Sequence, residues 1–407
     1  MFVEVLIIGA GPAGALAAAL LCRQGVSVLV LEREQFPRFS IGESLLPQSM
    51  EYLEAAGMLG AVERAGFQIK NGAAFGRGAE YSEFDFRDKF TDGWSYTYQV
   101  PRARFDQLLA LEAQRQGADI RFRHEVTAVD LSSARPRVTI KDEQNTSSII
   151  EAGFILDASG FGRVLPRLLN LDRPSDFPVR GALFTHVEDQ LAAKVFDRNK
   201  IRINVQPENG ALWYWLIPFS DGRCSVGAVG ELATLAEFPG TEVERLRALI
   251  AADGATDCLL ALARWDTPAR QLVGYASNVK SLYGRGYALL GNAGEFLDPI
   301  FSSGVTIAFK SASLAAALVP RQLAGAAVDW VQEFALPLKR GVDTFRAFVE
   351  SWYRGAFQRI IFHPRQPADI RRMLAAILAG YAWDENNPYV SQTRRRLAAL
   401  EELCYPE

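Results

Sequence analysis

Hydrophobic and polar positions at the start of the chain predict a strand, a helix and a second strand in direct succession. Val3 to Ile8 is a short run rich in β-branched residues, which is typical of a buried strand. The segment from Ala15 to Arg23 is rich in Ala and Leu, which favours a helix that Gly25 ends. Val26 to Leu31 repeats the buried-strand pattern. The start of the chain therefore predicts one βαβ unit of a parallel sheet.

Alternating patterns predict antiparallel strands in two later parts of the chain. Tyr81 to Tyr98 is rich in aromatic residues that alternate with polar ones. From residue 175 to 230 the same alternation predicts a sheet layer with strands at 181–188, 201–206, 212–219 and 224–230. Glu242 to Ala252 has the period of an amphipathic helix that would pack on such a layer.

Three segments between and after these sheets resemble the opening unit. A helix is predicted from Pro101 to Gln116, because proline is tolerated in a first helical turn. A buried strand at 154–157 ends in a Gly-rich turn, and another at 287–290 leads through a loop into a long helix that ends near Val319. The chain from about Ala327 is mainly helical and aromatic.

This interleaving predicts an α/β fold in which one doubly wound domain is built from three separate pieces of the chain. We expect a nucleotide-binding domain from residues 1–66, 100–175 and 271–325. An antiparallel sheet domain is expected from residues 67–99 and 176–270. Residues 326–407 are expected to form a helical C-terminal segment.

Composition adds several exclusions to this picture. The 407 residues are 49% hydrophobic and 22% charged, as in globular proteins, and the net charge of -3 gives no electrostatic footprint for nucleic acid. Arg394–Arg396 is interpreted as a solvated helix face. The four cysteines are far apart in sequence, so we predict neither a metal site nor a disulfide framework. With no long uncharged apolar run, we expect no membrane span and a cytoplasmic location.

The turn after the first strand carries the strongest candidate chemistry. Gly9, Gly11 and Gly14 form G-x-G-x-x-G, whose glycines permit a tight turn, close approach to a pyrophosphate and close packing of helix on strand. Pro12 and Ala13 lie at the start of the helix, where free N–H groups and the helix dipole favour phosphate. Because the motif lies between a predicted strand and helix, it predicts a dinucleotide site.

The end of the second strand supports this prediction. Glu32 ends that strand, where a carboxylate can accept hydrogen bonds from an adenosine ribose, and Arg33 follows it. In the loop that comes next, Gly42, Glu43 and Ser44 are candidates for cofactor contacts. The alternative for this loop is an ordinary connection between a strand and a helix.

Several motifs together resemble one known group of enzymes. The opening fingerprint, Val100-Pro-Arg102, Asp157-Ala-Ser-Gly160 and Gly291-Asn-Ala resemble the flavin monooxygenases built like p-hydroxybenzoate hydroxylase. Pro37-Arg-Phe-Ser-Ile-Gly-Glu-Ser-Leu-Leu-Pro47, Trp213-Tyr-Trp-Leu-Ile-Pro218 and Asp298-Pro-Ile-Phe-Ser-Ser-Gly304 are more specifically similar to FAD-dependent halogenases. The similarity is greatest to the branch that acts on phenols, pyrroles and carrier-bound acyl groups.

The resemblance implies a Rossmann-like FAD-binding domain, a β-sheet substrate domain and FAD as the cofactor. The residues it implies for FAD binding are Gly9, Gly11, Pro12, Ala13, Gly14, Glu32, Arg33, Gly42, Glu43, Ser44, Arg102, Asp157, Gly160, Asn292, Asp298, Gly304 and Val305. Asn292 stands where the family usually has Asp, and an amide can still accept a hydrogen bond from a ribityl hydroxyl.

The resemblance also implies where the reaction takes place. Lys70 matches the family's essential lysine, whose compact charge would direct an oxidised halogen to the substrate. Ser303 and Gly304 would bind chloride or bromide, and Trp213 and Trp215 would form the wall of a substrate tunnel. From the residues alone, Lys70 could instead be a surface lysine, and the two tryptophans could be ordinary core. Phe301 stands where the tryptophan halogenases have Glu.

The implied function is an FAD-dependent oxidoreductase that uses reduced FAD and O2 to halogenate an electron-rich aromatic or carrier-bound substrate. A single dinucleotide fingerprint implies a separate flavin reductase or transient NAD(P)H binding. Two alternatives stay open. One is an FAD-dependent monooxygenase or dehydrogenase with the same frame but no halogenation. The other is a flavoprotein that modifies a partner polypeptide.

Overall fold

The computed structural model describes residues 1–191 and 196–404. The strands are β1 (Phe2–Ile8), β2 (Val28–Glu32), β3 (Gln68–Lys70), β4 (Gly72–Arg77), β5 (Glu80–Asp85), β6 (Thr97–Gln99), β7 (Asp119–Phe122), β8 (Glu125–Asp130), β9 (Arg137–Lys141), β10 (Ser147–Asp157), β11 (Asp172–Arg173), β12 (Arg180–Glu188), β13 (Lys200–Gln206), β14 (Asn209–Pro218), β15 (Arg223–Glu231), β16 (Arg270–Val273), β17 (Asn278–Val279), β18 (Tyr283–Gly284) and β19 (Tyr287–Leu289). The α-helices are α1 (Pro12–Cys22), α2 (Ser49–Ala55), α3 (Leu59–Arg64), α4 (Arg102–Arg115), α5 (Val164–Leu168), α6 (Leu232–Ala236), α7 (Glu242–Ala252), α8 (Gly254–Leu260), α9 (Gly304–Leu323), α10 (Leu336–Tyr353), α11 (Ala356–Phe362), α12 (Ala368–Leu378), α13 (Pro388–Ser391) and α14 (Thr393–Cys404).

A largely parallel sheet in the order β18-β19-β10-β1-β2-β7 is the frame of the first layer. The central strand β1 pairs in parallel with β2 and β10, in registers that include Val5 with Val28 and Val5 with Phe154. The segments Val5–Ile8, Val28–Glu32 and Phe154–Asp157 of these strands are buried, which explains their continuous hydrophobic runs. Helix α1 packs on α4 and α9 beside this sheet. The predicted βαβ unit is confirmed, although α1 begins at Pro12 and not at Ala15.

A second sheet has the order β16-β12-β15-β14-β13-β4-β5. It is antiparallel except for the parallel pair β4 and β13, which brings residues 72–77 into the layer that residues 180–231 build. One face of this sheet packs on α7 through Leu246, Leu249 and Ile250. The other face turns towards the first layer. The mixed α/β fold predicted from the sequence is confirmed, whereas the predicted domain limits stay a prediction.

The aromatic segment from residue 81 to 98 differs from its prediction. Only its two ends are strands, at Glu80–Asp85 and Thr97–Gln99, and they belong to different sheets. The second of them pairs with β3 in a separate two-stranded ribbon. Tyr96 and Tyr98 pack edge to face with a ring-centroid distance of 6.1 Å. Their alternation thus reflects aromatic packing around a loop as well as a strand.

The helices after α9 cover one side of both layers. The last turn of α10 carries Trp352, which is fully buried, and Tyr353, which reaches the second sheet. Phe301 packs edge to face on Trp352 with a centroid distance of 5.9 Å. None of the helices within residues 1–191 and 196–404 is long and apolar enough to cross a membrane.

Candidate active site

A cavity of about 350 Å³ lies between the two layers. Its floor is formed by the segments that follow β1, β2, β10 and β19, and its roof is the inner face of the second sheet. Ligands in open α/β sheets bind at such carboxyl ends of parallel strands. The predicted site residues that line the cavity are Gly9, Gly11, Pro12, Ala13, Glu32, Arg33, Gly42, Glu43, Ser44, Arg102, Gly160, Trp213, Trp215, Asn292, Gly304 and Val305.

The glycine-rich turn has the geometry that its sequence predicts. Gly9 has a φ of +95°, and a Cβ atom there would lie 2.7 Å from the carbonyl oxygen of Ala158. A Cβ on Gly14 would lie only 1.9 Å from the carbonyl oxygen of Gly9. Gly14 is therefore a packing residue between helix and turn, and it does not line the cavity. A Cβ on Gly11 would meet only the Arg38 side chain, at 3.4 Å, so this position is open towards the cavity.

Glu32 is 5% exposed and holds the turn as well as lining the cavity. Its Oε2 accepts a hydrogen bond from the Ala10 N–H at 3.0 Å, and its Oε1 accepts one from the Glu34 N–H at 3.0 Å. The carboxylate is thus fixed by backbone donors on both sides of the site. Each oxygen keeps a further lone pair that could accept from a ribose hydroxyl.

Two arginines share one buried carboxylate beside this turn. Arg102 donates from Nε to Asp106 Oδ1 at 2.7 Å, and Arg38 Nη1 lies 3.3 Å from Asp106 Oδ2. Both arginines line the cavity, whereas Asp106 is fully buried behind them. Arg38 was not among the predicted site residues. Its place in the Pro37–Pro47 motif was the available signal.

Asp157 does not line the cavity, and its predicted cofactor contact stays a prediction. Its Oδ1 accepts from the Ser159 N–H at 2.9 Å and its Oδ2 from the Leu165 N–H at 2.6 Å. Burial raises the pKa of this carboxyl, while these hydrogen bonds act in the opposite direction. Asp157 therefore shapes the turn after β10, and Gly160, with a φ of +58°, presents that turn to the cavity.

The start of α9 also differs from the prediction in one residue. Ser303 is 3% exposed and lies behind the cavity wall, whereas Ser302, with a φ of +56°, lines the cavity. Ser302 has a left-handed backbone conformation, so the chain turns at this point. The side chain of Ser303 then faces the protein interior and not the cavity. The side chain of Ser302, and not that of Ser303, is open to the cavity, and the halide contact at Ser303 stays a prediction. Gly304 and Asn292 line the cavity as predicted.

Lys70 is 1% exposed, which excludes the surface alternative. Its Nζ donates to Ser44 Oγ at 2.7 Å and to the Leu45 carbonyl oxygen at 2.8 Å. Lys70 does not itself line the cavity, but Ser44 does, and the Ser302 hydroxyl donates to Ser44 Oγ at 3.1 Å. Burial lowers the pKa of the Lys70 ammonium to about 7. The lysine therefore contacts the cavity through a chain of two serine hydroxyls.

Trp213 and Trp215 lie on the cavity side of β14, 6.0 Å apart between ring centroids. Trp213 donates from Nε1 to the Tyr353 hydroxyl at 3.0 Å, and Trp215 donates to Ser225 Oγ at 3.0 Å. Gly227 lies opposite Trp215 on β15, where a Cβ would approach the indole ring to 2.3 Å. Both rings are thus held in one orientation as a wall of the cavity.

Asp298 is 2% exposed and lies behind the cavity wall, so the structure does not support its predicted cofactor contact. Its Oδ2 accepts from the Tyr353 hydroxyl at 2.9 Å and from the Tyr275 hydroxyl at 3.4 Å. Burial raises the pKa of Asp298 to about 6. The carboxyl anchors Tyr353, which in turn holds Trp213.

A histidine that sequence reasoning missed pairs with a cavity residue. His186 Nε2 lies 2.6 Å from Glu43 Oε1. Glu43 is 2% exposed and lines the cavity, whereas His186 lies outside the lining and one fifth of its side chain is exposed. The residues are far apart in sequence, and no motif joined them. The cavity lining also includes His124, Glu125 and Tyr275, which were not predicted.

The cavity fits a flavin dinucleotide. The start of α1 offers free N–H groups next to an open Gly11, and Arg38 and Arg102 add positive charge there. Glu32, the two tryptophans and the start of α9 also line the cavity. This donor set combines a pyrophosphate cradle, a ribose acceptor and an apolar aromatic wall. Among the described residues, no cluster of three His, Cys, Asp or Glu side chains could hold a metal ion.

Comparisons with known proteins agree with this fit. The FAD binding domain family matches residues 2–277 of the chain. The solved structure of a flavoprotein/dehydrogenase from Cytophaga hutchinsonii is 44% identical, with 99% of each chain covered and a TM-score of 0.96.

Two halogenases are also similar to this chain. The tryptophan 2-halogenase of Chondromyces crocatus is 32% identical over 334 residues, which cover 79% of this chain and 62% of that protein. The 1H-pyrrole-2-carbonyl-[peptidyl-carrier protein] chlorinase of Pseudomonas fluorescens is 28% identical over 398 residues, or 91% of this chain and 88% of that one. The chain thus spans about three fifths of the first relative and most of the second. These relatives confirm the resemblance to FAD-dependent halogenases, and the chain belongs to the FAD binding domain family of flavoproteins.

Proposed function

We propose that this flavoprotein is a halogenase that acts on an electron-rich aromatic substrate, either free or bound to a carrier protein. The observation that carries the proposal is the buried Lys70, which reaches the cavity through Ser44 and Ser302. Within the described residues no carboxylate lies close enough to form an ion pair with it, and burial lowers its pKa. An unpaired buried lysine is costly for the fold, which favours a role in chemistry.

Reduced FAD, when bound, would supply with O2 the oxidation that converts a halide ion into hypohalous acid. This chain's own residues would bind the halide at the start of α9, where Ser302, Gly304 and Val305 line the cavity. Lys70 would hold or donate a proton at Ser44 Oγ, because a pKa near 7 keeps both protonation states populated at neutral pH. Trp213 and Trp215 would exclude water and keep the aromatic substrate on one side of the cavity.

The relatives support this assignment of substrate. One of them is a tryptophan 2-halogenase and another chlorinates a pyrrole that is attached to a carrier protein. We infer an aromatic or carrier-bound aromatic substrate from the substrates of these two relatives and from the aromatic cavity wall. One dinucleotide turn lines the cavity, so we further propose that a separate flavin reductase supplies the reduced cofactor.

The test is aerobic turnover with a flavin reductase, NADH and bromide or chloride, with a phenol or monochlorodimedone as the trap. We expect halide-dependent halogenation of the trap, and we expect Lys70→Ala to reduce it by about 10²-fold or more while FAD stays bound. Lys141→Ala, an exposed lysine on β9, is the matched control and should behave as the wild type.

A dehydrogenase is the second candidate, because the relative that is 44% identical is described as a flavoprotein/dehydrogenase. NADH consumption that yields hydrogen peroxide but no halogenated product, with Lys70→Ala indistinguishable from the wild type, would favour this candidate. A substrate screen under anaerobic conditions with an artificial electron acceptor would then identify what the enzyme oxidises.

A further inference from the structure

We infer that Glu43 is the base that takes a proton from an ionisable O–H or N–H group of the aromatic substrate, and that His186 passes this proton towards solvent. The inference rests on the proposed function and names the substrate class more narrowly. The enzyme would then favour phenols and N–H heteroarenes over aryl ethers and other rings without an acidic proton.

The first observation is the order of the groups. Glu43 lines the cavity, its Oε1 lies 2.6 Å from His186 Nε2, and His186 is partly exposed. The pair therefore joins the inside of the cavity to the outside through one short hydrogen bond. The Glu43 backbone is fixed as well, since its carbonyl oxygen accepts from the Val100 N–H at 2.7 Å. A carboxylate in this position can accept a proton from a substrate in the cavity and release that proton to His186.

The second observation is the surface next to the pair, which suits a planar ring. Phe39 and Phe184 stack at 6.0 Å with an interplanar angle of 10°, and Phe184 lies 6.0 Å from Trp215. His186 itself packs edge to face on Phe219 at 5.2 Å. Phe39 and Trp215 line the cavity, and Phe39 lies 5.9 Å from the His186 ring, so these rings offer an aromatic substrate a stacking surface beside the pair.

The third observation is the neighbour in sequence. Ser44, which connects Lys70 to the cavity, follows Glu43 directly, and both residues line the same wall. The proton acceptor and the serine that links the lysine to the cavity therefore line the same cavity. This proximity is what concerted chemistry on a small ring needs.

The step balances as follows. Loss of the substrate O–H proton to the Glu43 carboxylate makes the ring electron-rich, and a ring carbon then bonds to the halogen of hypohalous acid as the halogen–oxygen bond breaks. The ring loses its C–H proton, which joins the released hydroxide to form water, and the halogenated product leaves as a phenolate. The carbon is oxidised by two electrons and the halogen is reduced by two. The proton held by Glu43 leaves to solvent through His186, so Glu43 ends the cycle as a carboxylate, and the released phenolate takes up one proton from solvent.

The experiment compares phenol with anisole as acceptors of bromine from the enzyme, NADH, a flavin reductase and bromide. The two rings are similarly activated, but only phenol has a proton to lose. We expect Glu43→Gln to lower phenol bromination about 10²-fold more than anisole bromination, as general-base loss does, when both rates are divided by the rate of hypobromite formation. Glu54→Gln, an exposed carboxylate on α2, is the control for the charge change.

His186→Gln should lower the phenol rate less than Glu43→Gln, and the double variant should be no slower than Glu43→Gln alone. Such non-additivity is expected when two residues act as one unit. His363→Gln, in the C-terminal segment, is the control for the loss of a histidine. Equal losses for phenol and anisole in Glu43→Gln, with normal FAD content and melting temperature, would assign Glu43 to the cofactor and overturn the inference.

Binding measurements separate this inference from the proposed function. Phenol and anisole are titrated into the FAD-loaded protein without bromide or reductant, with tryptophan fluorescence as the readout. We expect Glu43→Gln to weaken phenol binding about 10-fold relative to anisole, through loss of a charge-assisted hydrogen bond. If this result were found and the wild type formed no hypobromite, the halogenase proposal would be rejected. The role of Glu43 and His186 in binding an ionisable substrate would still hold. An unchanged ratio of affinities would reject the pair whatever reaction the enzyme catalyses.

Discussion

At the scale of single residues, Lys70 links the chemistry of the cavity to the pH dependence of stability. Burial lowers its pKa from 10.5 to about 7 in the folded protein. Between these values the unfolded chain holds the lysine proton and the folded chain does not, so the free energy of unfolding rises with pH in this window. Below pH 7 both states are protonated and the contribution is constant.

We therefore expect Lys70→Met to remove part of the rise in unfolding free energy between pH 7.5 and pH 9.5, because methionine carries no titrating group at this buried position. Urea unfolding of the wild type and the variant at several pH values measures this difference. Lys141→Met, which lies exposed on β9, should leave the slope unchanged. Parallel pH profiles for the wild type and Lys70→Met would contradict the lowered pKa.

Gly227 is a second residue whose effect follows from a single contact. A Cβ atom there would lie 2.3 Å from the Trp215 ring. We expect Gly227→Ala to destabilise the protein by about 1–3 kcal/mol through overpacking, and to displace Trp215 from the cavity wall. Urea unfolding measures the first effect, and tryptophan emission measures the second. Gly254→Ala is the matched control, because nothing lies within 4 Å of a Cβ at that glycine.

At the scale of elements, the two glycines at the start of α1 separate folding from cofactor binding. Gly14 supports close packing of the helix on the turn, whereas Gly11 is open towards the cavity. We expect Gly11→Ala to fold normally and to lose most of its affinity for FAD. Gly14→Ala should lose both stability and FAD binding, because its Cβ would overlap the Gly9 carbonyl oxygen.

FAD binding by flavin fluorescence and unfolding of the cofactor-free protein together test this contrast. Equal loss of stability in the two variants would mean that Gly11 is also a packing residue. Normal FAD affinity in Gly11→Ala would instead show that the pyrophosphate does not approach this turn.

The elements were largely predictable because each one buries a continuous or alternating face. β1, β2 and α7 were predicted within a few residues, and the four long strands of the second sheet also followed from their alternation. Exceptions arose where packing between distant parts overrides the local pattern. The segment 81–98 alternates like a hairpin, but its ends pair with different strands.

Side-chain access to the site was less predictable than the elements. The left-handed backbone at Ser302 decides that this serine and not Ser303 faces the cavity, and φ cannot be read from a Ser-Ser sequence. Asp157 and Asp298 lie one layer behind the wall because backbone amides and tyrosines surround them. His186 on β12 meets Glu43 only because the second sheet lies against the loop between β2 and α2, so no local signal identified it.

At the scale of the whole molecule, the C-terminal helices determine the shape of the cavity from a distance. Tyr353 at the end of α10 accepts from Trp213 and donates to Asp298, so it joins three segments of the chain. We expect Tyr353→Phe to destabilise the protein by about 1–3 kcal/mol, because the Trp213 N–H is left unpaired in a buried place. We also expect a lower yield of product per NADH with FAD binding retained.

Tyr81→Phe is the control for that substitution, since its hydroxyl pairs with Glu83 at an exposed position. Unfolding in urea and the ratio of product to NADH measure the two effects. If Tyr353→Phe matched Tyr81→Phe in both, the C-terminal segment would have no part in positioning Trp213.

The pairing of β1 with β10 has a consequence for how the protein is made. One edge of this apolar strand has no partner until β10 is synthesised, because Val5 pairs with Phe154. At about 5–20 residues per second, the ribosome needs roughly 10–30 s to supply that partner. During this interval the open edge can pair with other nascent chains, which is the usual route to aggregation. The yield of folded protein in a cell should therefore depend on chaperones that shield the nascent chain, however stable the finished molecule is.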